Sequence, residues 1–395
     1  MKRQIFIAFN AVYVNIPENN FHKYTVKLLS LLMKYDTKNN YYIFFPVEED
    51  LQKLLGMKIP GNFNIIQTGE TYFLKKRGSK VLKYRKRYED NFPELIKKRT
   101  NIDFDIIFTP YNYFPQKRES KAEFWTVYHD MIPLLPIKFP PTRESIMSYT
   151  YFSFFETLSW AAKRSRILNN SAVFTISETQ KEEICKLTLY KKDIYYMPNF
   201  VSPQYAAYAK KPGALGKRIL KSRYGISKNF VLYVGGMGKR KNTSTLIKAI
   251  KGLPEAVQSK ISFVLIGGKK FTDGPVISTG RVAEADLPYF FKHCLFFISV
   301  SKYEGFGVPP LEALYFKKPL ILSDSATYRE IFAKLPLYVN PCSVTMIQAA
   351  ISTMIKDLSK YKRSINANYR RILSKYEEKK SVKDFLALLK AKAAS

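Results

Sequence analysis

Residues 299–312 read S-V-S-K-Y-E-G-F-G-V-P-P-L-E and predict the end of a strand, a glycine-containing loop and the start of a helix. The apolar run at residues 296–300 has the length of a buried strand. Gly305 and Gly307 allow a ligand to come close to the main chain, and the two prolines after them suit the first positions of a helix. Free amides at a helix start, together with the helix dipole, favour an anionic group such as a phosphate. The stretch therefore predicts a phosphate-binding loop.

Two glutamates accompany this loop. Glu304 lies on the loop itself, and Glu312 falls in the first turn of the predicted helix. Their oxygens can accept hydrogen bonds from neutral hydroxyls while the amides hold a phosphate, and a nucleotide sugar presents both kinds of group. The structural alternative is that Glu312 is only a favourable charge near the helix dipole and that the glycines only form a turn.

The sequence around these glutamates resembles that of a known enzyme family. Y-E-G-F-G-V-P-P-L-E-A-L, followed by K-K-P-L-I-L-S-D, closely resembles the donor-site signature of the retaining glycosyltransferases of family 4, which adopt the GT-B fold. In that family two glutamates stand eight residues apart, as Glu304 and Glu312 do. The resemblance implies that Glu304 binds hydroxyls of the donor sugar and is a catalytic candidate, and that Glu312 binds the ribose. The residues that would face the sugar and the diphosphate are Gly305, Phe306, Gly307 and Val308.

A second candidate phosphate site follows the predicted strand at residues 230–234. The sequence G-G-M-G-K-R-K-N occupies residues 235–242 and precedes a predicted helix from about Thr243. A strand, a glycine loop and a helix are phosphate-binding architecture, whereas a basic helix start without an anion is disfavoured by the dipole. The resemblance implies that Arg240 and Lys241 grip the donor diphosphate.

The glycines of this loop are donor-site candidates as well. Gly235 and Gly236 lie where the diphosphate would pass. The resembled family often has a further arginine after the first glycine, and this chain has Gly236 in its place. We therefore expect one phosphate contact fewer than in the resembled enzymes.

The first half of the chain carries a weaker resemblance. The apolar strand at residues 123–128 delivers His129 and Asp130 in an H-D-x-x-P pattern, which is similar to a motif of the same family. The resemblance implies that His129 contacts the donor sugar and is a catalytic candidate, and that Asp130 acts on the acceptor side. Tyr111 and Asn112 follow the strand at residues 106–109 and are further acceptor-side candidates, because ligands gather at the carboxyl ends of parallel strands.

Other chemistry-bearing residues of the first half are predicted to be structural. Asp103 and Asp105 form a D-x-D motif, but they precede a strand instead of ending one, so no metal site is predicted. His22 is predicted to lie on the surface. The loop at residues 15–20 has no glycine, in contrast to the resembled family, and we assign no contacts to it.

Composition limits the class of protein. The 395 residues are 46% hydrophobic and 15% aromatic, which is enough for packed cores and argues against disorder. This length suggests two or three domains. With 65 basic and 32 acidic residues, the net charge is +33, so we expect a partner of opposite sign: nucleic acid, an anionic membrane surface or phosphorylated small molecules.

Cysteine usage and hydropathy indicate a cytoplasmic protein. Cys185, Cys294 and Cys342 are far apart, without metal-type spacing, and are predicted to be core residues in a reducing compartment. No apolar run approaches the roughly 18 residues that span a bilayer. The apolar segment at residues 5–9 is cut short by Asn10 and is predicted to be a strand instead of a signal peptide.

The stretch Lys75–Arg99 holds eleven basic and three acidic residues with aromatic and aliphatic residues between them. One interpretation is a solvated helix face. The other is a basic amphipathic helix that lies on anionic lipid, which would make the protein peripheral on the inner face of the cytoplasmic membrane. A nucleic-acid patch would look similar, but no motif of a nucleic-acid module accompanies it, and we expect no nucleic-acid partner.

The predicted fold class is α/β, and the resemblance implies the GT-B arrangement of two Rossmann-like domains that face each other across a cleft. We expect an acceptor-binding domain at residues 1–205, a linker at 206–225 and a nucleotide-sugar-binding domain at 226–375. We expect residues 376–395 to form a helix that packs back on the first domain.

The predicted activity is that of a retaining, metal-independent hexosyltransferase without a cofactor. It would use a nucleotide-diphosphate sugar as donor and a growing, lipid-linked bacterial surface glycan as acceptor. In the resembled family, the H-D-x-x-P and G-G-x-x-x-R-K-N motifs together slightly favour mannose-type donors. One alternative is another GT-B enzyme, either a phosphorylase or a glycogen-synthase-like polymerase. The other is a basic protein without enzymatic activity that binds nucleic acid or anionic glycan.

Overall fold

The computed structural model divides the chain into two compact units, which are Met1–Asn199 with Glu378–Ser395, and Phe200–Glu377. The residues that the structure describes are 3–11, 20–45, 51–68, 92–113, 115, 121–131, 163–201, 205, 208 and 213–394. Most of the basic stretch, residues 75–91, and the loop at residues 15–19 lie outside them. Within the described residues no helix is both long enough and apolar enough to cross a membrane.

The described part of the first unit builds a parallel sheet of seven strands in the order β3-β2-β1-β4-β5-β6-β7. These strands are β1 Phe6–Asn10, β2 Asn40–Phe45, β3 Phe63–Gln67, β4 Ile106–Thr109, β5 Glu123–Tyr128, β6 Ala172–Thr175 and β7 Ile194–Tyr196. The helices with defined bounds around it are α1 Asn20–Tyr35, α2 Leu51–Leu55 and α3 Glu178–Leu187, with a 3-10 turn at Ile167–Asn169. The strand order reverses between β1 and β4, as in doubly wound Rossmann folds.

Local sequence explains how this sheet is held. Strands β4 and β6 are short, mainly apolar runs whose side chains are all buried, so both faces of the sheet must be covered there. Asp105, at the start of β4, accepts a hydrogen bond from the Phe6 amide at 2.9 Å and pairs with Arg3 at 2.5 Å. Its carboxylate therefore joins β4 to β1. Ser177 caps α3 by accepting a hydrogen bond from the Gln180 amide.

The second unit has its own sheet of seven described strands in the order β10-β11-β9-β8-β12-β13-β14, parallel except for the antiparallel pair β10–β11. These strands are β8 Asn229–Val234, β9 Ile261–Ile266, β10 Lys270–Asp273, β11 Val276–Gly280, β12 Phe297–Ser299, β13 Leu320–Ser323 and β14 Leu337–Val339. The strand order reverses between β8 and β12, so this unit is also Rossmann-like. The edge hairpin β10–β11 and the short strand β14 are not predicted from the sequence.

Helices flank this second sheet. They are α4 Gly213–Tyr224, α5 Thr243–Lys251, α6 Glu255–Gln258, α7 Leu287–His293, α8 Val308–Tyr315, α9 Ala326–Phe332, α10 Val344–Lys356 and α11 Leu358–Leu373, with 3-10 turns at Lys239–Lys241 and Ser374–Tyr376. Leu246 on α5 and Ile351 on α10 are fully buried in one apolar cluster with the strands. This packing fixes the loop ends at the carboxyl edge of the sheet.

The structure differs from the sequence prediction at residues 206–225, where we expect a linker. Residues 213–224 of that segment form α4, which packs against α7. Glycine at position 216 allows this close packing, because a Cβ added at Gly216 would lie 2.5 Å from Nε2 of His293.

The end of the chain forms two short helices, α12 Glu378–Ser381 and α13 Lys383–Lys392, that belong to the first unit. Phe385 is fully buried, and its ring centroid lies 4.8 Å from that of Phe108 and 5.6 Å from that of Trp125. Asp384 accepts a hydrogen bond from the Tyr196 amide at 3.0 Å. The last residues therefore complete the core of the first unit.

Two predictions about individual side chains are wrong. His22 is buried, because it lies on the i, i+3, i+7 stripe of α1 that turns Thr25 and Leu29 toward the sheet. Cys185 and Cys342 are exposed, whereas Cys294 is buried as predicted. An apolar neighbourhood in sequence does not decide which face of a helix or loop a cysteine occupies.

Candidate functional site

The candidate site of the second unit lies where the loops after β8 and β12 meet. These two strands are neighbours at the point where the strand order reverses. Ligands of open α/β sheets bind at the carboxyl ends of the strands beside such a point. The loop after β8 is residues 235–242, and the loop after β12 is residues 300–307. The two stretches singled out in the sequence are therefore brought together.

Two cations from the first loop meet one carboxylate from the second. Nζ of Lys241 lies 2.5 Å from Oε1 of Glu304, and a guanidinium nitrogen of Arg240 lies 3.0 Å from Oε2. Burial opposes the ionisation of Glu304, but the charges of Lys241 and Arg240 outweigh it and hold the pKa of Glu304 below its usual value. The cluster of one carboxylate and two cations keeps a net positive charge, which suits an anionic ligand.

Main-chain groups of the second loop hold both the side chain and the backbone of Arg240. Its guanidinium donates to the carbonyl oxygen of Tyr303 at 2.8 Å, and its own carbonyl oxygen accepts from the Lys302 amide at 2.8 Å. The two loops are thus joined directly beside the ion pairs. The arginine is positioned without needing a ligand.

Asn242, which follows the cation pair, adopts a left-handed conformation with φ 57° and ψ 30°. Its side-chain amide donates to the carbonyl oxygens of Val300 at 3.2 Å and Pro341 at 2.6 Å. Asparagine tolerates this backbone region better than most residues, and the two hydrogen bonds stabilise it there. Asn242 is a positioning residue that the sequence analysis missed, although it is part of the quoted G-G-M-G-K-R-K-N stretch.

The glycines of the first loop have different roles. A Cβ at Gly235 would lie 2.5 Å from the Tyr233 hydroxyl, so that position requires glycine. A Cβ at Gly236 would meet no atom within 4 Å. The carbonyl oxygen of Gly236 accepts hydrogen bonds from Tyr233 and Thr243, both at 3.0 Å. The backbone of this loop is therefore held rigid, while the side of Gly236 is open.

Helix α8 begins directly after Gly307, whose φ of 111° is accessible to glycine and strained for other residues. A Cβ there would also lie 2.7 Å from a ring carbon of Tyr328. Because the helix begins at Val308, Glu312 falls in the second turn, and the prediction of a first-turn position is wrong. The ring of Phe306 packs edge-on against Tyr376 at 5.2 Å, so only its main chain can face a ligand.

Glu312 is buried, and the Tyr205 hydroxyl donates a hydrogen bond to its carboxylate. Burial raises the pKa of Tyr205 well above its usual value, and the nearby carboxylate of Glu312 adds to the effect. The Tyr205 ring packs on Phe316, 5.7 Å between centroids. Tyr205 is a second positioning residue that the sequence does not reveal, because it lies 107 positions before Glu312 and outside any motif.

In the first unit, His129 follows β5 and is buried. Its Nε2 lies 2.9 Å from the carbonyl oxygen of Pro110, so this nitrogen carries the proton and donates. The Tyr24 ring stands edge-on to it at 4.3 Å, and Phe21 lies at 5.1 Å. Burial lowers the pKa of His129 to about 4, against the opposing effect of the bond to Pro110. The imidazole is therefore neutral at pH 7.

Three of the first-unit candidates are brought together. The Asn112 side chain accepts from the His129 amide at 2.7 Å and donates to the Asp130 carbonyl oxygen at 2.9 Å. Asn112 thereby links the ends of β4 and β5. Tyr111, in contrast, is fully buried in the apolar core, and its acceptor-side role stays a prediction. The Tyr111 side chain points into the core beside the sheet, whereas the Asn112 side chain bonds to the loop that follows β5.

Among the described residues there is no group of three or more histidine, cysteine, aspartate or glutamate side chains arranged to hold a metal ion. Asp105 of the D-x-D motif is engaged with Arg3 and the Phe6 amide, as a strand-start residue is expected to be.

Comparison with known proteins extends these observations. Residues 219–371 match the family model described as glycosyl transferases group 1. O-antigen chain mannosyltransferase B of Escherichia coli is 26% identical over 270 residues, covering 64% of this chain and 66% of the relative. Serotype-specific mannosyltransferase WbdA of Escherichia coli is 24% identical over 252 residues, covering 60% of this chain and 29% of that protein. The chain thus spans just under two thirds of one curated relative and less than a third of the other.

A solved structure matches the whole chain. Sucrose-phosphate synthase from Thermosynechococcus elongatus superposes with a TM-score of 0.68 at 16% identity, covering 100% of both chains. At this identity the likeness concerns the fold alone, and it confirms the predicted GT-B fold class. The family match covers the unit that holds Arg240, Lys241, Glu304 and Glu312. Residues 219–371 therefore match the glycosyl transferases group 1 family, as the donor-site signature in the sequence predicts.

Proposed function

We propose that this protein is a retaining, metal-independent hexosyltransferase that moves a mannose-type sugar from a nucleotide-diphosphate donor to a growing bacterial surface glycan. The match of residues 219–371 to the glycosyl transferases group 1 family supports the transfer of a sugar. Two relatives, each matched over part of its length, are described as mannosyltransferases, and one of them as an O-antigen chain enzyme. These descriptions support the choice of sugar and the class of acceptor.

The observation that carries the proposal is the meeting of Arg240 and Lys241 with Glu304 at the carboxyl ends of β8 and β12. The guanidinium can fork two phosphate oxygens while the ammonium acts as a compact charge. The Val308 amide adds the positive end of α8; it is the one N–H donor among the first three residues of this helix, because prolines occupy the next two positions. The carboxylate beside them is suited to accept hydrogen bonds from sugar hydroxyls, so one site offers partners for both parts of a nucleotide sugar.

The same groups supply what the reaction needs. Departure of a nucleoside diphosphate develops negative charge, and fixed cations and amides stabilise such charge without a metal. Gly235, Gly236 and Val308 would lie along the diphosphate, and Glu312 would bind the ribose. No side chain of the site is proposed as a covalent nucleophile. The acceptor would attack from the same face, assisted by the leaving phosphate, which retains the configuration of the sugar.

For the first unit, the proposed roles follow the resemblance. His129 is proposed to contact the donor sugar as a neutral imidazole, because its pKa of about 4 keeps it uncharged at pH 7. Asp130 and Asn112 are proposed to act on the acceptor side, because Asn112 holds the two loop ends together.

The acceptor is proposed to be lipid-linked, with the protein peripheral on the inner face of the cytoplasmic membrane. In the described part of the chain, α11 supports an anionic partner. It has no acidic residue between positions 358 and 373, and its exposed side carries Lys360, Arg363, Arg370 and Arg371. These residues follow an i, i+3, i+10, i+11 pattern, so they share one face of the helix. Such a stripe is attracted to acidic lipid.

A transfer assay tests the proposed function. The protein is incubated in excess chelator with GDP-mannose, labelled in the mannose, and with lipid extracts from bacteria that carry mannose-containing surface glycans. We expect label in the lipid or glycan fraction and an α-linked product from the α-linked donor. A β-linked product would contradict retention, transfer only after metal is restored would contradict metal independence, and phosphate-dependent release of sugar phosphate would indicate a phosphorylase.

A further inference from the structure

We infer that Glu304 competes with the donor's diphosphate for Arg240 and Lys241, and that this competition selects the sugar-bearing donor over the spent nucleoside diphosphate. The inference rests on the proposed function, because it takes the ligand of this site to be a nucleotide sugar. It adds a specificity role that follows from the contacts of Glu304 with Arg240 and Lys241.

The carboxylate of Glu304 binds the same two cations that are proposed to bind the donor's diphosphate. Its two oxygens engage different cations, Lys241 at 2.5 Å and Arg240 at 3.0 Å. Side-chain exposure is low for all three residues, at 13% for Glu304, 18% for Lys241 and 29% for Arg240. At such partly buried sites an ion pair is screened less than on the open surface. An incoming phosphate must therefore replace the ion pairs that Glu304 makes with Arg240 and Lys241.

The contacts of Arg240 and Glu304 indicate which of the two side chains can move when a diphosphate binds. Arg240 is held by Tyr303 and Lys302 through main-chain atoms. The backbone of Glu304 is also held, because Thr327 donates to its carbonyl oxygen at 2.9 Å. The side chain of Glu304 can change rotamer while the cations and both loops stay in place. Displacement of the carboxylate is thus the smallest movement that admits a diphosphate.

The cost of that displacement differs between ligands. A displaced carboxylate beside a phosphate is repelled by a like charge and loses its two partners. A donor brings sugar hydroxyls, which donate hydrogen bonds to the carboxylate and offset the loss. A nucleoside diphosphate without sugar offers no such donors. The same carboxylate should therefore weaken binding of the product more than binding of the donor, and its return to Lys241 would assist product release.

The charge state of Glu304 supports this competition near neutral pH. The two cations keep its pKa below the usual value despite burial, so the carboxylate is ionised whenever the cations are free of ligand. Ser301 donates a further hydrogen bond to it.

The test compares two dissociation constants, for GDP and for GDP-mannose, in wild-type protein and in Glu304→Gln, by isothermal titration calorimetry in chelator. The amide keeps the shape of the side chain and can still bond hydroxyls, but it does not neutralise the cations. We expect the Kd of GDP to fall about tenfold relative to the Kd of GDP-mannose. Glu255→Gln, the same change at an exposed position of α6, should leave the ratio unchanged.

The outcomes separate the inference from the proposed function. Binding of both ligands with an unchanged ratio in Glu304→Gln would overturn the inference alone. Absence of binding by every nucleotide and nucleotide sugar would overturn the proposed function. If Glu304→Gln is unstable in thermal unfolding, Lys241→Met is compared with the double variant, which removes one charge of each sign. Because Arg240 remains in this background, competition predicts that Glu304→Gln still lowers the Kd of GDP relative to that of GDP-mannose, by less than about tenfold, and an unchanged ratio would contradict it.

Discussion

Asn242 joins the loop that carries the cations to the end of β12, because its side-chain amide donates to the carbonyl oxygen of Val300 at 3.2 Å. It makes a second such bond to Pro341 at 2.6 Å while its own backbone stays left-handed. The position of Arg240 and Lys241 therefore depends on a side chain that carries no charge and is buried.

We expect Asn242→Asp to destabilise the second unit by about 1–3 kcal/mol, because a carboxylate cannot donate to either carbonyl oxygen and is left buried beside them. Urea denaturation at pH 7 measures the loss. Asn366→Asp, the same change at an exposed position of α11, is the control and should alter stability by less than about 0.5 kcal/mol. Equal stability of the two variants would show that the bonds of Asn242 do not hold the loop.

Gly236→Arg is expected to strengthen donor binding. A Cβ at this position meets no atom within 4 Å, and the backbone there does not have a positive φ. The guanidinium would add a charge-assisted contact that the resembled enzymes often have and this chain lacks. We expect the Kd of the nucleotide sugar to fall by up to roughly tenfold. Gly236→Gln adds length without charge and serves as the control; a gain equal to that of arginine would exclude a charge effect.

The stability of the first unit should depend on pH through His129. The pKa of this buried imidazole is about 4 in the folded protein, against 6.5 for the ordinary side chain. Between these values the unfolded chain binds a proton that the folded chain does not, so the free energy of unfolding falls as the pH is lowered. From pH 7 to pH 5 the expected loss from this residue is about 2 kcal/mol.

The measurement for His129 is urea denaturation followed by tryptophan fluorescence, since Trp125 lies in β5, the strand that His129 follows. His129→Gln should lose about 2 kcal/mol less than the wild type between pH 7 and pH 5. An identical pH dependence in both proteins would mean that His129 titrates normally in the folded state.

The exposed face of α11 should contribute to lipid binding. Replacing Lys360, Arg363, Arg370 and Arg371 with glutamine should weaken co-sedimentation with vesicles that contain acidic lipid, by roughly 1 kcal/mol for each charge that lies near the surface. The effect should shrink at high salt, and binding to neutral vesicles should be weak throughout.

The control for this experiment removes equal charge elsewhere on the same unit. The exposed lysines for it are Lys228, Lys260, Lys269 and Lys270. If this control weakens binding as much as the α11 variant does, the net charge of the protein and not the helix face governs attraction to the membrane.

Most of the fold could be predicted from the sequence because buried parallel strands are short, continuous apolar runs. The strands at residues 106–109 and 123–128 are predicted with the observed bounds. The edge hairpin β10–β11 was missed, since its first strand, Lys270–Asp273, is mostly exposed and polar. Residues 213–224 were misjudged because glycine marks both flexible segments and close helix packing.

The candidate site divides in the same way. Charged and glycine residues that follow strands, such as Arg240 and Glu304, could be found from local pattern. Asn242 and Tyr205 act through contacts with residues 58 and 107 positions away, and no local pattern reveals such partners. The burial of Tyr111 could not be predicted either, because residues adjacent in a loop can point to opposite sides of the sheet edge.

The most direct test of the account is the binding of nucleotide sugars to wild-type protein and to Lys241→Ala, in chelator, with GDP-, UDP-, ADP- and CDP-sugars. We predict that one nucleotide class binds the wild type and that Lys241→Ala weakens this binding by roughly ten- to a hundredfold, the loss of one charge-assisted bond. Lys239→Ala, an exposed neighbour, should bind as the wild type does. Equal binding by Lys241→Ala, or no binding by any of the four classes, would contradict the assignment of this site.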